Sequence, residues 1–151
     1  MKYILCLACL AINLSAFTQI STDYIPTVDI TNNNWITYVD HQEFKIEYKR
    51  TDCDQNFSGF DQQYFFVKIS NKTQSEININ WDMELFYNDV CRTCGVDEYQ
   101  WHYKLNPLES VEGECTIGAE NELRLFSKFI DVNYTNTSEL TGFKFSNLFL
   151  D

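Results

Sequence analysis

The sequence predicts an all-β fold: an immunoglobulin-like antiparallel β-sandwich of seven to eight strands, stapled by disulfides. Three observations predict it. Apolar and polar residues alternate with a period of two in segment after segment, turn residues punctuate those segments at short intervals, and an even set of cysteines follows an export signal. A chain of 151 residues suffices for one domain of common size and is too short for two well-buried ones.

The first residues, MKYILCLACLAINLSAFTQ, carry one charge at Lys2 and an apolar run from Ile4 to Leu14, with small or polar residues at Ser15, Ala16 and Thr18. This is the pattern of a cleaved signal peptide over 1–18. The run is too short for a spanning helix, which needs about 20 apolar residues. Gln19 is the expected new N-terminus. A lipoprotein reading at Cys9 would leave almost no apolar stretch before the modified cysteine. Loss of Lys2 leaves 10 basic against 22 acidic residues, a formal charge of −12. Such a surface repels phosphate backbones and anionic membranes, so neither nucleic-acid binding nor membrane insertion after cleavage is expected.

Residues 19–34 are polar, contain Pro26 and an Asn triplet, and read as an extended lead-in rather than core; residues 35–151 form the single sandwich domain. In FKIEYK, Phe44, Ile46 and Tyr48 oppose Lys45, Glu47 and Lys49. YFFVKI is apolar on both faces, with Phe65, Val67 and Ile69 against Tyr64 and Phe66, as a central strand would be. EININWDMELFY places Ile77, Ile79, Trp81, Met83, Leu85 and Tyr87 on one side, a set that a helix would scatter around its circumference. EYQWHYKL repeats the alternation with Tyr99, Trp101, Tyr103 and Leu105 inward. ELRLFSKFI and LTGFKFSNLFL supply two late strands, and turns fall at segments such as Asn88-Asp89, Gly95, Asn106-Pro107 and Gly113.

After cleavage the cysteines are Cys53, Cys91, Cys94 and Cys115. A zinc site would need a second close pair or two histidines beside Cys91-x-x-Cys94. A thiol-redox couple would need a helix N-terminus to lower the first thiol's pKa, and here the motif sits between two strands. Disulfides need neither. Of the three connectivities, joining Cys53 to one member of the pair and Cys115 to the other closes the longer loops and removes more unfolded-state entropy, so cross-linking with Cys53 is expected.

DCDQNFSGFD offers Asp52, Asp54, Asn56 and Ser58 as alternating oxygen ligands for calcium, but Phe57 stands where an EF-hand loop has glycine and Gln63 where it has the bidentate glutamate. An acidic turn explains the residues equally well. No G-x-S-x-G stretch accompanies His41 and His102, and His102 alternates with Trp101 and Tyr103 as a wet-face residue would. No catalytic residue, and no cofactor beyond possible calcium, is assigned. Trp81 and Trp101 fall inward, whereas Trp35, Tyr64, Phe66 and Phe86 fall outside the inward phase and form a candidate binding patch. Sequons occur at Asn56, Asn71, Asn133 and Asn136. They are glycan acceptors on a eukaryotic secretory route and chance matches in a bacterium, which the composition favours.

The pattern DC-x-x-x-x-x-G-x-D-x-x-Y (Asp52 to Tyr64), followed by ISNKT, ELFY, C-x-x-C, LNPLES, EGEC and LTGFKFSNL, resembles small uncharacterised secreted proteins of Bacteroidetes. LNPLES is also similar to the L-x-P-x-E-S element of extracytoplasmic immunoglobulin-like domains. Neither resemblance implies catalytic residues. The expectation is a secreted or periplasmic, non-catalytic binding or accessory protein for an unknown protein or glycan. The alternatives are a calcium-dependent carbohydrate- or surface-binding module and, third, a thiol-redox protein or enzyme.

Overall fold

The computed structural model describes residues 19–28, 30–31, 33–54, 61–116, 121–130, 135 and 137–151. The expected leader over 1–18, the candidate calcium ligands Asn56 and Ser58 with Phe57 between them, and the sequons at Asn133 and Asn136 lie outside the described residues.

Ten strands occur among the described residues: β1 Ile25–Pro26, β2 Ile36–Asp40, β3 Phe44–Cys53, β4 Gln62–Asn71, β5 Ile77–Tyr87, β6 Val90–Cys91, β7 Gln100–Leu105, β8 Ser110–Glu112, β9 Arg124–Phe129 and β10 Leu140–Leu150. β1 and β6 are two residues each, which leaves eight longer strands. They form two packed antiparallel sheets. The first runs β1–β10–β5, with β6 and β7 sharing the far edge of β5. The second runs β2–β3–β4, with β8 and β9 sharing the far edge of β4.

The period-two alternation becomes the core directly. Ile77, Ile79, Trp81, Met83 and Leu85 of β5 are buried, as are Phe44, Ile46 and Tyr48 of β3 and Phe65, Val67 and Ile69 of β4. The two-faced sequence of β4 fits its central place in the second sheet. β10 departs from strict alternation. Phe143 and Phe145 point inward, then a bulge near Asn147, whose φ is 50°, shifts the phase so that Leu148 rather than Asn147 enters the core. Asn88 and Asp89 have φ values of 48° and 62°, the left-handed pair that a two-residue hairpin requires between β5 and β6.

The lead-in is more than a tether. Ile20 bridges to Leu148, β1 pairs with β10, and the Thr22 and Thr27 hydroxyls donate to the carbonyls of Phe145 and Leu140. Tyr24 lies where a Cβ on Gly142 would stand, so the glycine admits the ring. Ile30 joins the core, which the polar composition of the segment hid. The lead-in thereby covers the otherwise open edge of β10.

Two central strands outrun their neighbours, and single residues complete their ladders. On β5, β7 pairs with residues up to Asp82 and β6 begins at Phe86. Between them the Thr93 hydroxyl donates to Met83 O (2.6 Å) and accepts from Leu85 N (2.8 Å). On β4, Gly113 N donates to Val67 O (3.0 Å) between β8 and β9. A Cβ on Gly113 would stand 2.2 Å from Leu123 O, so only glycine passes there.

Asn71 is 3 % exposed and ties the two sheets at one end. Its Nδ2 donates to Ser75 O and Asn106 O (2.8 Å each), and its Oδ1 accepts from Thr73 N (2.8 Å). The sequon at this position therefore sits on an amide already committed to the fold.

Phe143 contacts the rings of Tyr38, Tyr48, Phe65 and Phe145. Phe143→Ala is expected to lower the unfolding free energy by about 3–5 kcal/mol in urea denaturation. Asn71→Ala, which removes a buried amide and the bonds it makes to Ser75 O, Asn106 O and Thr73 N, is expected to cost about 1–3 kcal/mol in the same measurement.

Candidate functional site

The four cysteines pair as Cys53–Cys115 and Cys91–Cys94, with Cα separations of 5.6 and 5.8 Å. This corrects the expectation that Cys53 would cross-link with the C-x-x-C pair. Loop entropy ranks connectivities only when the fold brings every pair within reach. Here Cys53 ends β3 of the second sheet and Cys115 follows β8 of the same sheet, whereas Cys91 lies on β6 of the first. The 62-residue closure is worth about 4 kcal/mol in the chain-entropy model, against about 2 kcal/mol for the C-x-x-C loop. Cys53 is buried, at 1 % exposure. The two bridges place the chain in an oxidising, non-cytoplasmic compartment. No helix among the described residues is long and apolar enough to cross a membrane.

The aromatic patch proposed from phase divides in two. Trp35, Tyr64 and Phe66 do gather on the outer face of the second sheet, joined by Phe126. Phe86 lies on the first sheet, edge-on to Tyr24 at 5.0 Å. Tyr64 and Phe66 are only 8 % and 4 % exposed, so they are covered rather than offered to solvent. Trp35 is flanked by two ammonium groups, Lys49 Nζ at 4.4 Å and Lys68 Nζ at 4.3 Å from its ring centroid. Lys68 and Lys45 in turn bind Glu47 at 2.9 and 2.6 Å. Burial alone would raise the Glu47 carboxyl, but those two ammonium groups outweigh it and hold its pKa below the ordinary value. On this face two lysines hold Glu47, and Lys49 stands over the Trp35 ring.

Of the candidate calcium ligands only Asp52 and Asp54 are among the described residues. Asp52 Oδ1 accepts from Gln63 Nε2 across the β3–β4 pair at 2.9 Å, Asp54 is exposed, and Asn56 and Ser58 lie outside the described residues. No group of three or more metal-ligating side chains occurs among the described residues. His41 sits at the β2–β3 turn against Phe44, and His102 is on the exposed face of β7. The two histidines belong to different sheets.

The open space of the molecule borders this cluster at Tyr64 and Phe126. A cleft of about 610 Å³ runs along the side where β7 of the first sheet faces β9 of the second. Met83, Leu85 and Leu125 form its floor; Tyr99 and Trp101 line one wall, and Phe126 and Phe129 the other. Glu98, Glu122 and Arg124 supply charge at its margin. The sheets are joined at the cleft by Tyr87, whose hydroxyl donates to Phe126 O at 2.6 Å. Burial, assisted by Tyr99 and Tyr64, pushes the Tyr87 phenol up to about 12. Arg124 lies over the Tyr64 ring at 5.2 Å and donates to Thr116 O at 3.2 Å. Glu122 Oε2 is buried and has no hydrogen-bond partner among the described residues. A buried carboxylate oxygen without a donor is costly, and a ligand hydroxyl or ammonium would relieve it.

Sequence reasoning took Trp101 and Tyr99 as core and passed over Glu122, Arg124, Phe126 and Phe129. One signal was present: in ELRLFSKF the apolar Phe126 shares the phase of Glu122 and Arg124 rather than that of Leu123 and Leu125. An aromatic ring on the polar phase of an edge strand marks a wall that something else covers.

The raised Tyr87 pKa carries a pH prediction. The unfolded phenol ionises near the ordinary 10.0 and the folded one at about 12, so its stabilising contribution is complete below pH 10 and is lost as pH rises through 12. Thermal midpoints should fall over that window. Tyr87→Phe should lose about 1 kcal/mol at neutral pH through the missing hydrogen bond and show a shallower alkaline decline.

No family model, curated protein or solved structure matches this chain, and the chemistry of the cleft is therefore argued from its own residues.

Proposed function

We propose that the chain is a secreted or periplasmic, non-catalytic binding or accessory protein, built on an immunoglobulin-like sandwich, whose ligand is seated in the cleft between β7 and β9. The observation that carries this reading is the coincidence, in one concavity, of four half-buried rings with a buried carboxylate oxygen that has no partner among the described residues. Open apolar clefts with a few convergent polar groups are where ligands bind. Tyr99 and Trp101 offer flat faces for a sugar ring or an apolar side chain. Glu122 offers an acceptor for a hydroxyl or ammonium, and Arg124 a donor for an oxygen.

The two-sheet architecture suits the role. The floor of the cleft belongs to the common core, so the walls are held in place without a ligand and little ordering is needed on binding. Acidic composition favours export in soluble form and directs the surface toward neutral or basic partners. Ligand class narrows to a glycan or a protein segment that supplies hydroxyl or ammonium donors.

Calorimetric titration of the oxidised chain with panels of neutral glycans and of basic and neutral peptides tests the proposal. One class should bind saturably. Trp101→Ala and Phe126→Ala should each weaken that binding by about tenfold, or about 1.4 kcal/mol, while Trp35→Ala leaves it unchanged. Binding that survives both cleft substitutions and is lost with Trp35→Ala would move the site to the outer face of the second sheet.

A further inference from the structure

We infer that the Cys91–Cys94 bridge is a thiol-exchangeable site: a stoichiometric electron acceptor for a dithiol in a basic polypeptide segment, separate from the ligand cleft and compatible with a non-catalytic role there. The starting point is that the turn does not depend on the bridge. Arg92 N donates to Leu85 O (2.8 Å), the Thr93 hydroxyl makes its two bonds to Met83 and Leu85, and Val96 N donates to Thr93 O (3.1 Å). Thr93 is buried at 5 % exposure, so this anchor is not frayed by solvent. Opening the sulfur bond therefore leaves both cysteines where they were. Held so, the two thiols re-form the bond by an intramolecular step, which makes the couple reversible.

The two sulfurs are inequivalent. Cys94 is exposed and Cys91 half-buried, so Cys94 is the sulfur that solvent and a partner reach. Cys94 N donates to Cys91 Sγ at 3.1 Å. A donor aimed at Cys91 stabilises negative charge there and makes it the better leaving group. Cys53–Cys115 also joins a buried cysteine to an exposed one, but it closes a loop of 62 residues rather than a single turn.

The exchange balances without a further reactant. A substrate thiolate attacks Cys94 Sγ, the sulfur–sulfur bond breaks, and its electron pair leaves on Cys91 Sγ, held by Cys94 N–H. The second substrate thiolate then attacks the substrate sulfur of the mixed disulfide, forming the substrate's own disulfide and releasing Cys94 as thiolate. The two protons shed by the substrate thiols end on Cys91 and Cys94. The substrate dithiol is oxidised by two electrons and the bridge is reduced by two.

Charge selects the substrate. A depression of about 230 Å³ lined by Thr93, Gly95 and Val96 lies beside the bridge, with the carboxylates of Asp82 and Glu84 on its far side. Asp97 and Glu98 follow within the same loop, against two cations: Arg92 within the motif and Lys144, which stands opposite Glu84 across the β10–β5 pair. A cysteinyl segment flanked by lysine or arginine is attracted to this surface, whereas an anionic thiol such as glutathione is repelled.

The test mixes the oxidised mature chain with an equimolar reduced dithiol peptide carrying lysine flanks, quenches with acid, alkylates the free thiols and maps them by mass. The inference expects alkylated Cys91 and Cys94, an oxidised peptide, an intact Cys53–Cys115 bridge and a native thermal transition in the product. It also expects a rate that falls with added salt and is about tenfold lower for a glutamate-flanked peptide. A small aromatic disulfide reagent should react faster with Cys91→Ser, which frees the exposed Cys94, than with Cys94→Ser. Reduction of both bridges together, reduction only with loss of the native transition, or resistance of Cys91–Cys94 to the peptide would each overturn the inference.

Discussion

The backbone of β5 has to find partners along its whole length, and much of the molecule follows from how it does so. β10 covers one edge throughout most of the strand, but the other edge is shared by β7 and the two-residue β6, with Met83 and Leu85 left between them. A side-chain hydroxyl completes the ladder there. Because an unpaired buried backbone group costs about as much as a lost hydrogen bond, the segment that carries Thr93 is drawn in against β5. Cys91, Cys94 and the loop leading to Glu98 and Tyr99 are placed as a consequence.

The second sheet meets the same constraint in its own way. β8 and β9 share one edge of β4, and Gly113 bridges the interval with its amide while squeezing past Leu123. The chain that makes this passage carries Cys115 to Cys53, so the long disulfide locks a path that backbone pairing has already set. Each sheet therefore has a lateral margin made of short strands, and on the β7 and β9 side those margins stand apart. The cleft occupies the interval. Tyr87 spans it with one hydrogen bond, and burial keeps that phenol protonated.

Two kinds of chemistry thus sit at neighbouring margins of one scaffold. The cleft holds four half-buried rings and a buried carboxylate oxygen with no partner among the described residues, and the turn beyond it holds the exposed Cys94. Both lie on segments whose geometry is enforced by the core, since β5 contributes Met83 and Leu85 to the cleft floor and also accepts the bonds that hold the C-x-x-C turn. Preorganisation of this kind leaves little conformational entropy to be lost on contact with a partner.

The strands and their inward faces were legible in the sequence because period two is a local property. Ile77 through Leu85, the two-faced β4 and the Asn88-Asp89 hairpin needed no knowledge of what lay opposite. The phase shift at Asn147, the core position of Ile30 and the disulfide pairing were not legible, since each depends on a segment distant in sequence. The candidate patch shows the boundary well. Phase correctly lifted Trp35, Tyr64 and Phe66 out of the main core, yet only packing decided that Tyr64 and Phe66 are covered and that Phe86 belongs to another sheet. By itself the amino-acid order determined an acidic all-β chain, because composition and alternation are read residue by residue. Tertiary structure alone decided which sulfurs meet and which aromatic rings frame a cavity, because both are set by distances between strands that no local pattern encodes.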